Sequence, residues 1–357
     1  MRDERGTPRS ARLAVAVAVL TGLLGCATAS PAGVRSPAGT IAFLRGVGTT
    51  STGLFAIKPD GSGLRRITPS GSDIESYGWA PDGSRIAYLD SRGALWLVRP
   101  DGTGRELLAA GSPLRGTWTL SWSPDGNAIA VLARDSGTPP TNSSSKFSIQ
   151  LIPTDGGAPR RLPSGNALGV DWTPRGDEIA YTDSGQQWVI STDGSKPQLF
   201  FGHRLAHEGG VPLWSPDGTH VGFAGCPVRR GRCVDRYAGI YVADADGSHS
   251  HLVTGHAYNE YGFAWSPDGR SILYGRANRE GIYVISADGR ENHRLTRDSP
   301  RPVDWGALTW APDGRFIAYA TDRTGNGDIY VIDAHGHNKV QLTHTAATDI
   351  DPSWQPR

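Results

Sequence analysis

Trp122-Ser123-Pro124-Asp125-Gly126, followed closely by the apolar run Ile129-Ala130-Val131, decides the fold of this chain. The pentapeptide recurs as Trp79-Ala80-Pro81-Asp82-Gly83, Trp172-Thr173-Pro174-Arg175-Gly176, Trp214-Ser215-Pro216-Asp217-Gly218, Trp265-Ser266-Pro267-Asp268-Gly269 and Trp310-Ala311-Pro312-Asp313-Gly314, which makes six complete copies. A seventh is split: Trp354-Gln355-Pro356 stands at the end, and the Ile41-Ala42-Phe43 that would follow it stands near the start. The Trp-to-Trp spacings of 43, 50, 42, 51, 45 and 44 residues belong mostly to propeller blades rather than to helical solenoids, whose repeats are shorter.

A periodic array over nearly all of the 357 residues argues for one domain. Forty-seven Gly and 25 Pro, with 38% hydrophobic residues spread evenly, indicate a folded, turn-rich all-β chain. The formal net charge is +1, and without residues 1–25, which hold four Arg and two acids, it is −1. That balance leaves no footprint for nucleic acid.

The first 25 residues read as an export signal. Arg2, Arg5, Arg9 and Arg12 precede an apolar core over residues 13–25 that is too short for a permanent membrane span. The core ends at Leu23-Leu24-Gly25-Cys26, which resembles the bacterial lipobox, so Cys26 is expected to carry a lipid after cleavage, with an ordinary secretory signal as the alternative. Residues 26–38, small, polar and Pro-interrupted, then form a flexible tether, and the propeller is expected over 39–357. Cys226 and Cys233 are an even pair in an exported protein, which favours a disulfide over free buried thiols.

One unit shows how a blade is built. Residues 76–80, 85–89, 94–99 and 105–109 form four short strands joined by tight turns. In the pentapeptide, Pro fixes φ at the second position and Gly supplies the left-handed conformation at the last, which suits a type I turn with a G1 bulge. A second set of turns, including Pro100-Asp101-Gly102 and Ala245-Asp246-Gly247, closes strands three and four, so both sets fall on one face of the disc. An aromatic residue at one fixed position of every blade is expected to pack between neighbouring sheets. Asp244-Ala245-Asp246-Gly247 echoes the start of a calcium loop but lacks the downstream Glu, and reads as an ordinary turn.

The repeated W-[STA]-P-[DR]-G-x-x-[IV]-[AGL]-[YFV], with segments such as Gly281 to Gly289 and Arg294-Leu295-Thr296, resembles the TolB-type WD40-like β-propeller repeat over residues 39–357. The resemblance implies seven four-stranded blades, with six as the alternative if the split copy did not close. It also implies that the Trp strand is innermost, and that residues 349–354 complete the blade whose other strands come from 41–68. The likeness is to the repeat and not to TolB itself, whose additional α/β domain finds no room before residue 39.

The loops that do not repeat are the candidates for function. Residues 134–146 are Pro- and Ser-rich, and residues 225–239 hold Cys226 and Cys233 with Arg229, Arg230, Arg232 and Arg236. Four guanidinium groups so close together repel one another, which points to an anionic partner, against the alternative of a solvated, stapled loop. Asp73, Glu208, Asn259, Asp304 and Asp349 stand where the chain starts an inner strand, and are expected either to converge at the channel mouth or to serve as caps.

No G-x-S-x-G occurs, so the peptidase use of such propellers is not expected. Oligogalacturonate lyases, which are seven-bladed, hold a divalent metal with histidines above the channel; of the ten His, only His203, His207, His256 and His344 fit that placement. No H-E-x-x-H or Cys-His zinc spacing is present. The expectation is therefore a monomeric, non-catalytic, lipid-anchored propeller in the periplasm or on the outer cell surface. It would bind a protein or envelope polymer without metal or cofactor, the alternative being a metal-dependent polysaccharide lyase-like enzyme.

Overall fold

The computed structural model describes residues 38–47, 51–111, 114, 119–135, 146–201, 205–206, 211–229, 232–233, 238–254, 260–276, 281–298 and 308–357. All regular elements among them are strands apart from short turns, and they form seven antiparallel sheets, each one blade of a seven-bladed β-propeller.

Blade two illustrates the order: Ile74–Trp79, Ile86–Asp90, Ala94–Val98 and Glu106–Ala110 lie side by side in sequence order. The bounds differ from the sequence reading by no more than two residues. The Trp-bearing strand occupies one edge of each sheet, and these strands pack on one another between neighbouring blades, as an inner ring requires. Blade one is composite: Ile41–Val47, Ser51–Ile57 and Arg65–Arg66 are joined by Thr348–Trp354 from the other end of the chain. Ile41 pairs with Trp354 and Gly46 with Thr348, so the split seventh copy closes the ring.

The turn chemistry explains the regularity of the pentapeptide. Gly83, Gly126, Gly218, Gly269 and Gly314 take φ between 66° and 73°, where a Cβ would be strained, and each donates its N–H to the carbonyl three residues back. The Asp side chain accepts the N–H two residues on, as Asp125 does from Asn127 at 3.0 Å and Asp217 from Thr219 at 3.0 Å. Hydrogen bonds from Ser215 and Thr219 hold the Asp217 carboxyl down at about 2. The fourth blade breaks this pattern, because Arg175 cannot accept such bonds. There Thr173 Oγ1 turns to the Glu178 carbonyl at 3.1 Å and to Asp177 Oδ1 at 3.4 Å.

A third recurring device lies at the outer edge. The hydroxyls of Thr68, Ser164, Thr254 and Thr343, all buried, accept the backbone N–H of Leu54, Ile149, Ile240 and Ile329 respectively, at 2.9 to 3.1 Å. Each ties the segment after the fourth strand back to the third, in place of a ladder bond that the short outer strand does not make.

The core is a series of apolar seams between sheets rather than one centre. Between blades seven and one, Ile41, Phe43 and Ile57 meet Phe316, Ala318, Ile329 and Val331; between blades one and two, Leu44 and Leu54 meet Trp79, Ile86 and Tyr88. The recurring geometry of the tryptophans stitches five of the seams. The indole N–H of Trp122 donates to the Gly78 carbonyl at 3.0 Å, that of Trp172 to Ser121 at 3.1 Å, that of Trp265 to Leu213 at 2.8 Å and that of Trp310 to Ala264 at 3.3 Å. Trp79 reaches Ser353 at 3.1 Å. In these five cases the acceptor is the residue just before the Trp of the preceding blade, so these indoles both pack and make an inter-blade hydrogen bond, whereas Trp214 and Trp354 donate to Ala245 and Ala38 within their own blades.

Candidate functional site

Two of the channel-mouth candidates lie among the described residues, and both are structural anchors. Asp349 is fully buried and its carboxylate receives Arg45 through two parallel bonds, Nε to Oδ1 at 2.6 Å and Nη2 to Oδ2 at 2.7 Å. The guanidinium also lies over the rings of Phe43 and Phe55, 5.4 and 4.8 Å from their centroids. Asp73 is partly buried, and its Oδ1 accepts the N–H of Thr52 at 3.1 Å. Glu208, Asn259 and Asp304 lie outside the described residues.

The fifth blade is the irregular one. Its second strand, His220–Arg229, runs ten residues and outgrows its neighbour: His220 to Gly225 pair with Gly239–Asp244, while beyond them Cys226 and Pro227 pair with Ala206 and Leu205. The strand then turns back, with Arg229 opposite Arg232 and Val228 opposite Cys233. This backbone hairpin extends from the end of the blade opposite the repeated turns, since it joins strands two and three. Cys226 is fully buried and disulfide-bonded. The side chains of Arg229, Arg232 and Cys233, and all of Arg230 and Arg236, lie outside the described residues, as do Cys26 and most of the Pro- and Ser-rich segment 134–146.

Another inner-strand acid carries a strong shift. Asp171, on the inner strand of blade four, has its carboxyl pushed up to about 6 by burial, against hydrogen bonds from Ser121 Oγ at 2.7 Å and from the N–H of Trp172 at 3.0 Å. Asp171 thereby links blades three and four, a role that its position before a motif Trp does not reveal. Among the described residues, no group of three or more His, Cys, Asp or Glu is placed to hold a metal ion. Of the four histidines singled out, His344 is exposed, and His203, His207 and His256 lie outside the described residues. No helix among the described residues is long and apolar enough to cross a membrane.

Comparison with known proteins agrees with this architecture. No family model matches the chain. Over 180 residues, half of this chain, it is 27% identical to an uncharacterized peptidase, YuxL, of Bacillus subtilis, of which the match covers 24%. Over 127 residues, 36% of this chain, it is 29% identical to the Tol-Pal system protein TolB of Anaeromyxobacter dehalogenans, of which the match covers 28%. The matches thus span about a quarter of the length of these two relatives. Among solved structures, TolB from Acinetobacter baumannii superposes with a TM-score of 0.54 at 17% identity, over 90% of this chain and 68% of that one. An oligogalacturonate lyase in complex with manganese superposes with a TM-score of 0.67 at 14% identity, over 82% of this chain and 85% of that one. The protein is a seven-bladed propeller whose fold is similar to that of TolB.

Proposed function

We propose that this chain is a non-catalytic propeller of the cell envelope, anchored by lipid at Cys26. It binds a protein or envelope polymer through the end of blade five that carries Arg229, Arg230, Arg232 and Arg236. The observation that carries the reading is the overlong second strand of that blade, which continues beyond the sheet into a hairpin with Arg229 opposite Arg232. A strand that merely completed a blade would stop where its six-residue partner stops. The likeness to TolB supports use of the ring as a binding surface, although the fold by itself is compatible with many activities.

Cys233 is the proposed partner of Cys226, because the hairpin returns it to the strand beside Val228. On the loop-entropy model, a bridge closing so short a loop contributes roughly 2 to 3 kcal/mol, and it would chiefly hold the arginines in one presentation. An exported chain supplies the oxidising compartment that such a bridge requires. The clustered guanidinium groups select an anionic surface, through bidentate contacts to carboxylate or phosphate.

The test is capture from envelope extracts with the Arg229→Ala/Arg230→Ala/Arg232→Ala variant beside the parent chain. Loss of the captured partner supports the site, and undiminished capture refutes it. The alternative of a metal-dependent lyase-like enzyme makes a separate demand: the purified protein must retain Mn or Zn by elemental analysis, and a metal-free preparation rejects it.

A further inference from the structure

Three irregular features meet at the seam between blades four and five. First, Trp214, like Trp354, whose indole N–H donates to the Ala38 carbonyl at 3.2 Å, does not follow the stitching rule. Its acceptor by that rule would be the Asp171 carbonyl, but its indole N–H instead donates within its own blade, to the Ala245 carbonyl at 3.4 Å. Second, the buried core on this side of blade five is reduced to Val221, Phe223, Tyr241 and Ala243. A cluster of tilted aromatic rings completes it, with Phe200 5.3 Å from Trp214 and Phe201 4.0 Å from Phe223, centroid to centroid. Third, the turn of blade four carries Arg175 where the other five complete copies carry Asp.

These departures leave a cavity of about 570 Å³ between the two blades, on the face of the repeated turns. The Trp214 side chain and Phe200 form part of its wall, with Leu199 beside them. Four carboxylates line it, those of Asp177, Glu178, Asp244 and Asp246, against the single guanidinium of Arg175. Asp244 and Asp246 are engaged locally: Asp244 Oδ2 lies 2.7 Å from His249 Nδ1, and Asp246 Oδ1 accepts the N–H of Ser248 at 2.9 Å. Among the described residues, no ion pair engages Asp177, Glu178 or Arg175.

We infer that this cleft is a binding site for a lysine or arginine side chain presented by an extended peptide segment. The chemistry of the lining matches. The aliphatic stem of such a side chain suits Leu199 and Phe200, its charged head is attracted to an indole face, and the unpaired carboxylates complete the neutralisation. An acidic occupant would be repelled by these carboxylates, and a purely apolar one would offer them no cation. The site is separate from the arginine-bearing hairpin, which lies at the opposite end of blade five and selects the opposite charge.

The experiment is calorimetric titration of the full chain with four capped pentapeptides: Gly-Gly-Lys-Gly-Gly and its Arg, norleucine and Glu counterparts. The Lys and Arg peptides are expected to bind with Kd below about 1 mM. The norleucine peptide is expected to bind at least about tenfold more weakly, and the Glu peptide not at all. The Asp177→Asn/Glu178→Gln variant, isosteric at both positions, is expected to weaken the Lys peptide by at least about tenfold. Its thermal transition, measured alongside, shows that the ring is intact. The Arg229→Ala/Arg230→Ala/Arg232→Ala variant is expected to bind the Lys peptide as the parent does. Equal affinity for norleucine, no change in the carboxamide variant, or no heat with any peptide would each overturn the assignment.

Discussion

Arg45 and Asp349, 304 residues apart, meet in a buried two-bonded ion pair that joins the first strand of the propeller to the last. The pair sits inside blade one, where Arg45 and Asp349 are also register partners on adjacent strands. It therefore fixes the closure of the ring as well as its register. Truncating either member leaves the other charge buried and alone, which costs about 3 to 5 kcal/mol. Arg45→Ala and Asp349→Ala are each expected to lower the unfolding free energy obtained from urea denaturation by that amount. The double variant should lose less than the sum of the two, and a double-mutant cycle that came out additive would show that the pair does not couple.

The stitching tryptophans are not equivalent. Trp265 is buried and donates to Leu213 at 2.8 Å across a seam, whereas Trp214 is only partly buried and makes a 3.4 Å bond within its own blade. Trp265→Phe leaves the Leu213 carbonyl without its donor and is expected to cost about 1 to 2 kcal/mol. Trp214→Phe is expected to cost about half as much or less. Equilibrium denaturation of the two variants compares them directly.

Asp171 should make stability fall as pH rises. Its folded carboxyl titrates at about 6, above the ordinary value of 3.8, so the folded state favours the protonated form. That contribution is complete below about pH 4 and is lost as pH climbs through about 6. Asp171→Asn keeps an acceptor for Ser121 and removes the charge. It is expected to gain about 1 to 3 kcal/mol at pH 7.5 and little at pH 4. Thermal melts at the two pH values test both halves of the statement.

Asp298 predicts the opposite slope. Burial alone would raise its carboxyl, but donors from Lys339 at 2.8 Å, Tyr319 at 2.9 Å and Arg323 at 2.9 Å outweigh burial and hold it below the ordinary value. A depressed folded value means stability that is present above about pH 4 and is lost on acidification. Asp298→Asn should therefore destabilise the protein at pH 7, by about 1.5 to 3 kcal/mol, and less at pH 3. A constant deficit at both pH values would show that the charge of Asp298 is not responsible.

The ring was legible in the sequence because its turns are local chemistry. Trp-Ser-Pro-Asp-Gly specifies a hairpin without reference to the rest of the chain, and counting hairpins counts blades. Long-range pairing was not legible. Asp349 stands where a channel-mouth ligand would stand, and only the folded structure shows that Arg45 has claimed it. Trp214 has the same motif as Trp122 or Trp265 and takes a different acceptor, with the rings of Phe200, Phe201 and Phe223 clustered beside it. The available signals were Arg175 in a position otherwise held by Asp, and the Phe200-Phe201 pair after the fourth strand of blade four.

The central claim, that the ring is a platform binding through the arginine-bearing end of blade five, is tested most directly by in-cell cross-linking with mass-spectrometric mapping. Cross-links to a partner are expected to concentrate on residues 225–239 and to disappear in the Arg229→Ala/Arg230→Ala/Arg232→Ala variant. Partner cross-links that avoid 225–239, or that persist unchanged in the variant, would contradict it.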